Sequence, residues 1–85
     1  MNVEELAPLT NGLSVNNGPQ TLVCERAMLS APTADVVHLK FWIAGTDHRP
    51  RLRVARQRVL QWSPRDATRV LSKAVVNAVT GARQA

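Results

Sequence analysis

The sequence predicts an α+β fold: a small three-stranded antiparallel β-meander packed against one C-terminal α-helix, preceded by a mobile N-terminal arm. Three observations predict it. Val36–Ala44 alternates strictly, with Val37, Leu39, Phe41 and Ile43 on one face and Val36, His38, Lys40 and Trp42 on the other. That is the pattern of a strand with one face on a core and one in water. Second, Ser63-Pro64-Arg65-Asp66 is a helix start. Serine suits the N-cap, proline the first helical position, and an acid three residues after the cap completes a capping box. Third, Ala67, Val70, Leu71, Ala74, Val75, Ala78 and Val79 recur behind that start at helical spacing, which makes one apolar stripe.

The other elements follow in chain order. Residues 1–20 read as a mostly irregular arm. Val3–Leu6 opens a helical turn, Pro8 and Asn11-Gly12 interrupt it, and Asn16-Asn17-Gly18-Pro19 is turn chemistry. Residues 21–85 read as a single β-β-β-α domain. Thr21–Leu29 is its first strand, Ser30–Asp35 a loop, Val36–Ala44 the second strand and Gly45–Pro50 a turn. Short connections of this kind make hairpins, and no crossover is needed. Arg51–Trp62 admits two readings. Arg51 and Arg53 alternate with Leu52 and Val54, as in a strand, but Arg56 and Arg58 fall out of phase. A β-bulge near Ala55 returns them to the arginine face. A helix from Leu52, with Val59 and Leu60 on one side, is the competing reading. The strand is preferred because a pleated chain spaces the repelling arginines further apart. Gly81 is expected to close the last helix, with Arg83 at its negative end.

Length and composition bound the function. With 85 residues the chain is one domain at most, and it buries only about 60–65% of its unfolded surface. Its apolar residues are mostly Val, Leu and Ala, with Phe41, Trp42 and Trp62 the aromatics. So light a core favours oligomerisation, and a homodimer is expected through the first strand at Leu22, Cys24 and Met28, because an arginine-rich third strand repels its own copy. The single Cys24 makes no internal disulfide, which fits a reducing cytoplasm. No signal-peptide pattern is present, and no apolar run approaches the roughly 18–20 residues of a membrane span.

Charge is divided along the chain. Residues 1–47 hold five acids and two bases, a net of −3; residues 48–85 hold nine bases and one acid, a net of +8. Five of those bases are the arginines of Arg49–Arg58. Such a field draws an anionic partner, although a GC-rich genome would give the same arginine bias. The outer face of the sheet is the main candidate surface: Lys40 and Trp42 beside His38 on the middle strand, with Arg49, Arg51, Arg53, Arg56 and Arg58 entering and lining the neighbour. Cations neutralise phosphates there and the Trp42 indole offers a stacking platform, unless the indole merely packs under arginine stems. A secondary basic ridge, Arg65, Arg69 and Lys73, recurs every fourth residue on the wet side of the last helix.

The stretch Ser63–Val75 resembles the start of the last helix of double-stranded-RNA-binding domains, and the strands-then-helix order is similar. The resemblance covers 13 residues. It departs at Pro64 and Arg65, where that family has consecutive lysines, and in lacking the family's long first helix, so no residue role carries over.

Catalytic signals are sparse. Cys24 and His38 on adjacent strands are a nucleophile–base pairing in some folds, but nothing nearby orients the histidine. Two histidines and one cysteine in three segments make no metal-ligand pattern, and there is no glycine-rich phosphate loop, so no metal or cofactor is expected. The expected function is a small non-enzymatic nucleic-acid-binding accessory protein, of DNA or RNA. The alternative is a protein-binding adaptor or inhibitor of the phage or mobile-element type, whose basic surface meets an acidic patch.

Overall fold

The computed structural model describes residues 1–84, and side chains through residue 81. A 3₁₀ turn, Val3–Glu5, runs into α1, Leu6–Thr10; then follow β1 (Ser14–Asn17), β2 (Gln20–Ser30), β3 (Val36–Ile43), β4 (Arg51–Ala55), α2 (Arg56–Gln61) and α3 (Pro64–Gln84). The strands form one antiparallel sheet in the order β1-β2-β3-β4. The class is the expected α+β, with a C-terminal helix on the sheet. The strand count is four, not three.

The extra strand comes from the segment expected to be an irregular arm. Pro8 does not break α1, because it sits in the first turn, where an amide has no intrahelical acceptor to lose. Val3 and Leu6 are buried, and the buried Thr10 hydroxyl donates to the Leu6 carbonyl at 2.7 Å. The turn chemistry at residues 16–19 is real, but it closes a hairpin. Asn17 pairs with Gln20, and Gly18 takes φ 64, a left-handed conformation that glycine adopts without a Cβ clash. The Met1 nitrogen donates to the Leu60 and Trp62 carbonyls, tying this segment to α2.

Residues 51–62 combine the two readings. Arg51–Ala55 is strand and Arg56–Gln61 is helix, with no bulge at Ala55. The physical reason is Val59, which is fully buried. Turning the chain into a helix at Arg56 brings it onto the core, and the Arg56 N–H is taken by the Asp35 carbonyl at 2.8 Å.

The core lies between the inner face of the sheet and the helices. β3 contributes Val37, Leu39, Phe41 and Ile43, all at most 1% exposed, the face that alternation predicts. β2 adds Leu22 and Cys24, and β1 adds Val15. From α3 come Ala67, Leu71, Val75 and Val79, one residue every fourth position. Leu22 and Cys24, two of the three residues expected to mediate self-association, face this core and β1 pairs alongside Leu22, whereas the third, Met28, is exposed.

The α3 start is built as the sequence predicts. Asp66 N–H donates to the Ser63 hydroxyl at 3.1 Å, and Ser63 N–H donates back to the Asp66 carboxylate at 3.2 Å. The Ser63 N–H first, and then the Ser63 hydroxyl, hold the Asp66 carboxyl below its ordinary range, helped by the charges of Arg69 and Arg65. A depressed carboxyl stabilises the fold above its unfolded pKa, and that contribution is lost as pH falls through the lowered folded value. Ser63→Ala should cost about 0.5–2 kcal/mol in a urea titration. An unchanged midpoint would mean that water replaces the cap at no loss. At its other end α3 runs through Gly81 to Gln84 rather than closing at Gly81. An exposed glycine inside a helix costs about 1 kcal/mol and does not by itself end it. The role expected for the Arg83 side chain lies outside the described residues.

Candidate nucleic-acid interface

The outer face of the sheet is organised by two hairpin registers. Between β3 and β4, Lys40 pairs with Arg51, His38 with Arg53 and Val36 with Ala55. The same offset continues into the turn, where Ile43 N–H donates to the His48 carbonyl and Phe41 N–H to the Pro50 carbonyl. Trp42 therefore stands across from Arg49. Two parallel rows result: Trp42, Lys40 and His38 on β3, and Arg49, Arg51 and Arg53 leading into and along β4. Alternate residues on a strand are about 6.6 Å apart, so the arginines form an evenly spaced line of exposed cations.

The third row is on β2. Glu25 faces Trp42, Met28 faces Lys40 and Ser30 faces His38. Between Glu25 and Met28 the register slips by one residue. This β-bulge sits at Arg26, which has φ 55. It re-aims Arg26, whose side chain would otherwise follow the alternation inward. The Arg26 guanidinium carbon lies 4.7 Å from the Trp42 ring centroid, and that of Arg49 lies 4.2 Å from it. Both distances are within cation–π range. The indole expected as a free stacking platform is half-buried beneath two arginines.

The residues expected to form one site are thus divided. Lys40, Trp42, Arg49, Arg51 and Arg53 share the outer face. Arg56 and Arg58 do not, because they belong to α2. Arg58 is exposed there, whereas Arg56 is half-buried and its Nε is buried without a hydrogen-bond partner among the described residues. Arg65, Arg69 and Lys73 are exposed along α3, which packs on the opposite side of the sheet. Arg69 is further committed to Asp66, at 3.0 Å. Arg26 joins the face although composition gave it no role.

The electrostatics of the face are one-sided. Among the described residues the single ion pair is Arg69–Asp66, so no carboxylate neutralises Arg26, Lys40, Arg49, Arg51 or Arg53 by direct pairing. Glu25 is the one acid on the face. The edge of β4 is also open. Arg56, Pro50 and His48 fix which amides bond to β3, and antiparallel alternation turns the backbone N–H and C=O of Arg51, Arg53 and Ala55 away from it.

Cys24 and His38 do not meet. Cys24 faces the core opposite Ile43, and His38 is on the outer face opposite Ser30 and Arg53. Burial raises the Cys24 thiol pKa, which keeps it protonated. Among the described residues no three His, Cys, Asp or Glu side chains gather as a metal site, and no helix is long and apolar enough to cross a membrane. A shallow groove of about 480 Å³ lies at the α1 end, lined by Met1, Glu4, Glu5, Pro8, Leu9 and Pro64. No protein-family model, curated protein or solved structure matches the chain.

Proposed function

We propose that this is a small non-enzymatic nucleic-acid-binding accessory protein whose outer sheet face grips the phosphate backbone. The observation that carries the reading is the set of five cations on one sheet face, Arg26, Lys40, Arg49, Arg51 and Arg53, none ion-paired. Phosphates are the abundant partner for such a face, and arginine meets them with two parallel N–H donors. Contacts made by cations to phosphates carry no base information, so binding should be insensitive to sequence. Counterion release makes the reading measurable. Five neutralised phosphates give a log–log salt slope of about −3.5 for single strands and about −4.5 for duplex DNA. Fluorescence anisotropy of mixed-sequence strands, titrated from low salt upward, tests it. Absence of binding at about 50 mM salt, with the protein folded, would sink it.

A second reading, a protein-binding adaptor or inhibitor of the phage or mobile-element type, is favoured by the open β4 edge. Unpaired backbone groups flanked by arginines suit an added strand from an acidic partner. It takes first place if nucleic acid fails to bind.

A further inference from the structure

The Arg26–Trp42–Arg49 cluster has features that a merely solvated patch does not need. Arg26 holds a left-handed backbone, φ 55, at an exposed position. Arginine pays for that conformation, because its Cβ crowds the following carbonyl. Strain of this kind persists only where the surroundings hold it, and it concentrates at binding sites. A holding contact is visible beside the bulge: the Ala27 N–H donates to the Asn11 side-chain carbonyl at 2.9 Å. Asn11 reaches it from the end of α1, so the ordered N-terminal segment supports the bulge that aims Arg26.

The two guanidinium carbons lie over one indole, no further apart than the sum of their distances to its centroid. Stacking uses the flat face of a guanidinium and leaves its in-plane N–H donors free. Like charges held on one ring repel, and an anion alongside them would relieve that repulsion. Glu25, across from Trp42, does not fill this role, since neither arginine forms an ion pair with it.

We propose that Arg26 and Arg49, held on Trp42, form a phosphate fork that grips the phosphodiester backbone of nucleic acid. The proposal rests on the nucleic-acid reading and assigns one specific contact within it. Trp42 orients the two arginines and does not stack on bases. The fork continues into the Arg51–Arg53 line, which takes the adjacent phosphates.

The test uses the full chain and three labelled probes: a mixed-sequence single strand, an abasic strand of equal length, and a polyglutamate peptide of equal charge. The abasic strand should bind within about threefold of the normal one, because stacking is otherwise worth about tenfold or more per base. Polyglutamate should bind at least about tenfold more weakly, since it lacks the arrangement of phosphate oxygens that a bidentate fork reads. Arg26→Asn removes the guanidinium but tolerates the left-handed backbone, so circular dichroism should show an intact fold. It should weaken strand binding roughly tenfold and flatten the salt slope by about 0.7. Glu25→Gln should strengthen binding. Three results overturn the fork while the broader reading stands: a strong loss with the abasic strand, an unchanged slope in Arg26→Asn, or weaker binding by Glu25→Gln. Equal binding of polyglutamate, or no binding of any strand, overturns the nucleic-acid reading itself.

Discussion

Phe41→Ala is expected to remove a large part of the domain's folding stability. Phe41 is the largest fully buried side chain and is 0% exposed. It sits on β3, an inner strand bonded to β2 and β4. Truncating a buried phenylalanine costs about 3–5 kcal/mol, the transfer term plus the cavity left behind. The whole stability of a chain this size is about 4–13 kcal/mol. The loss therefore approaches the lower end of the total. Urea titration followed by circular dichroism measures it. Lys40→Ala, one residue away on the exposed face, supplies the control and should move stability by no more than about 0.5 kcal/mol. A loss below about 1 kcal/mol for Phe41→Ala would show that α3 does not seat on this face.

The contrast between these neighbours was legible because β3 alternates without a break from Val36 to Ile43. The α3 start was equally plain, since Ser63, Pro64 and Asp66 each have one role at a helix N-terminus. The N-terminal segment was misread because Pro8 and Gly12 punctuate structure without forbidding it. Whether a proline ends a helix depends on where the helix begins, and burial of Val3 and Leu6 against distant strands decided that. Residues 51–62 changed period midway, from two to about 3.6, and no local residue marks the change. Tertiary burial of Val59 set it.

The missed member of the candidate site, Arg26, did leave a trace. Leu22 and Cys24 face inward at even positions, and the partly buried Ala27 and Leu29 continue at odd ones. A parity switch inside one strand is the mark of a bulge. A charged residue at the inward phase, as Arg26 would be, is a second sign. What the sequence does not carry is the partner of the bulge. Asn11 lies 16 positions from Ala27 in the chain, and only the packing of α1 against β2 brings them together.

Arg51→Ala with Arg53→Ala should have the largest effect on binding, and Arg56→Ala with Arg58→Ala should have a small one. The two double variants remove the same charge from the same short stretch of sequence, so a general loss of attraction is equal in both. They differ in place. Arg51 and Arg53 lie in the outer-face line across from Lys40 and His38, whereas Arg56 and Arg58 are on α2. If phosphates sit on the face, the first pair loses two contacts and its salt slope flattens by about 1.4 with single strands or about 1.8 with duplex. Each charge-assisted contact is worth about 1.5–3 kcal/mol, so affinity at low salt should fall roughly 100-fold or more. The second pair should keep its slope and lose only the few-fold due to net charge, a loss that salt screens away. Thermal melts of both variants check that the comparison is between folded proteins. Equal losses would show that the arginines act only as an unlocalised field. A larger loss in the Arg56 and Arg58 variant would move the interface from the sheet to α2.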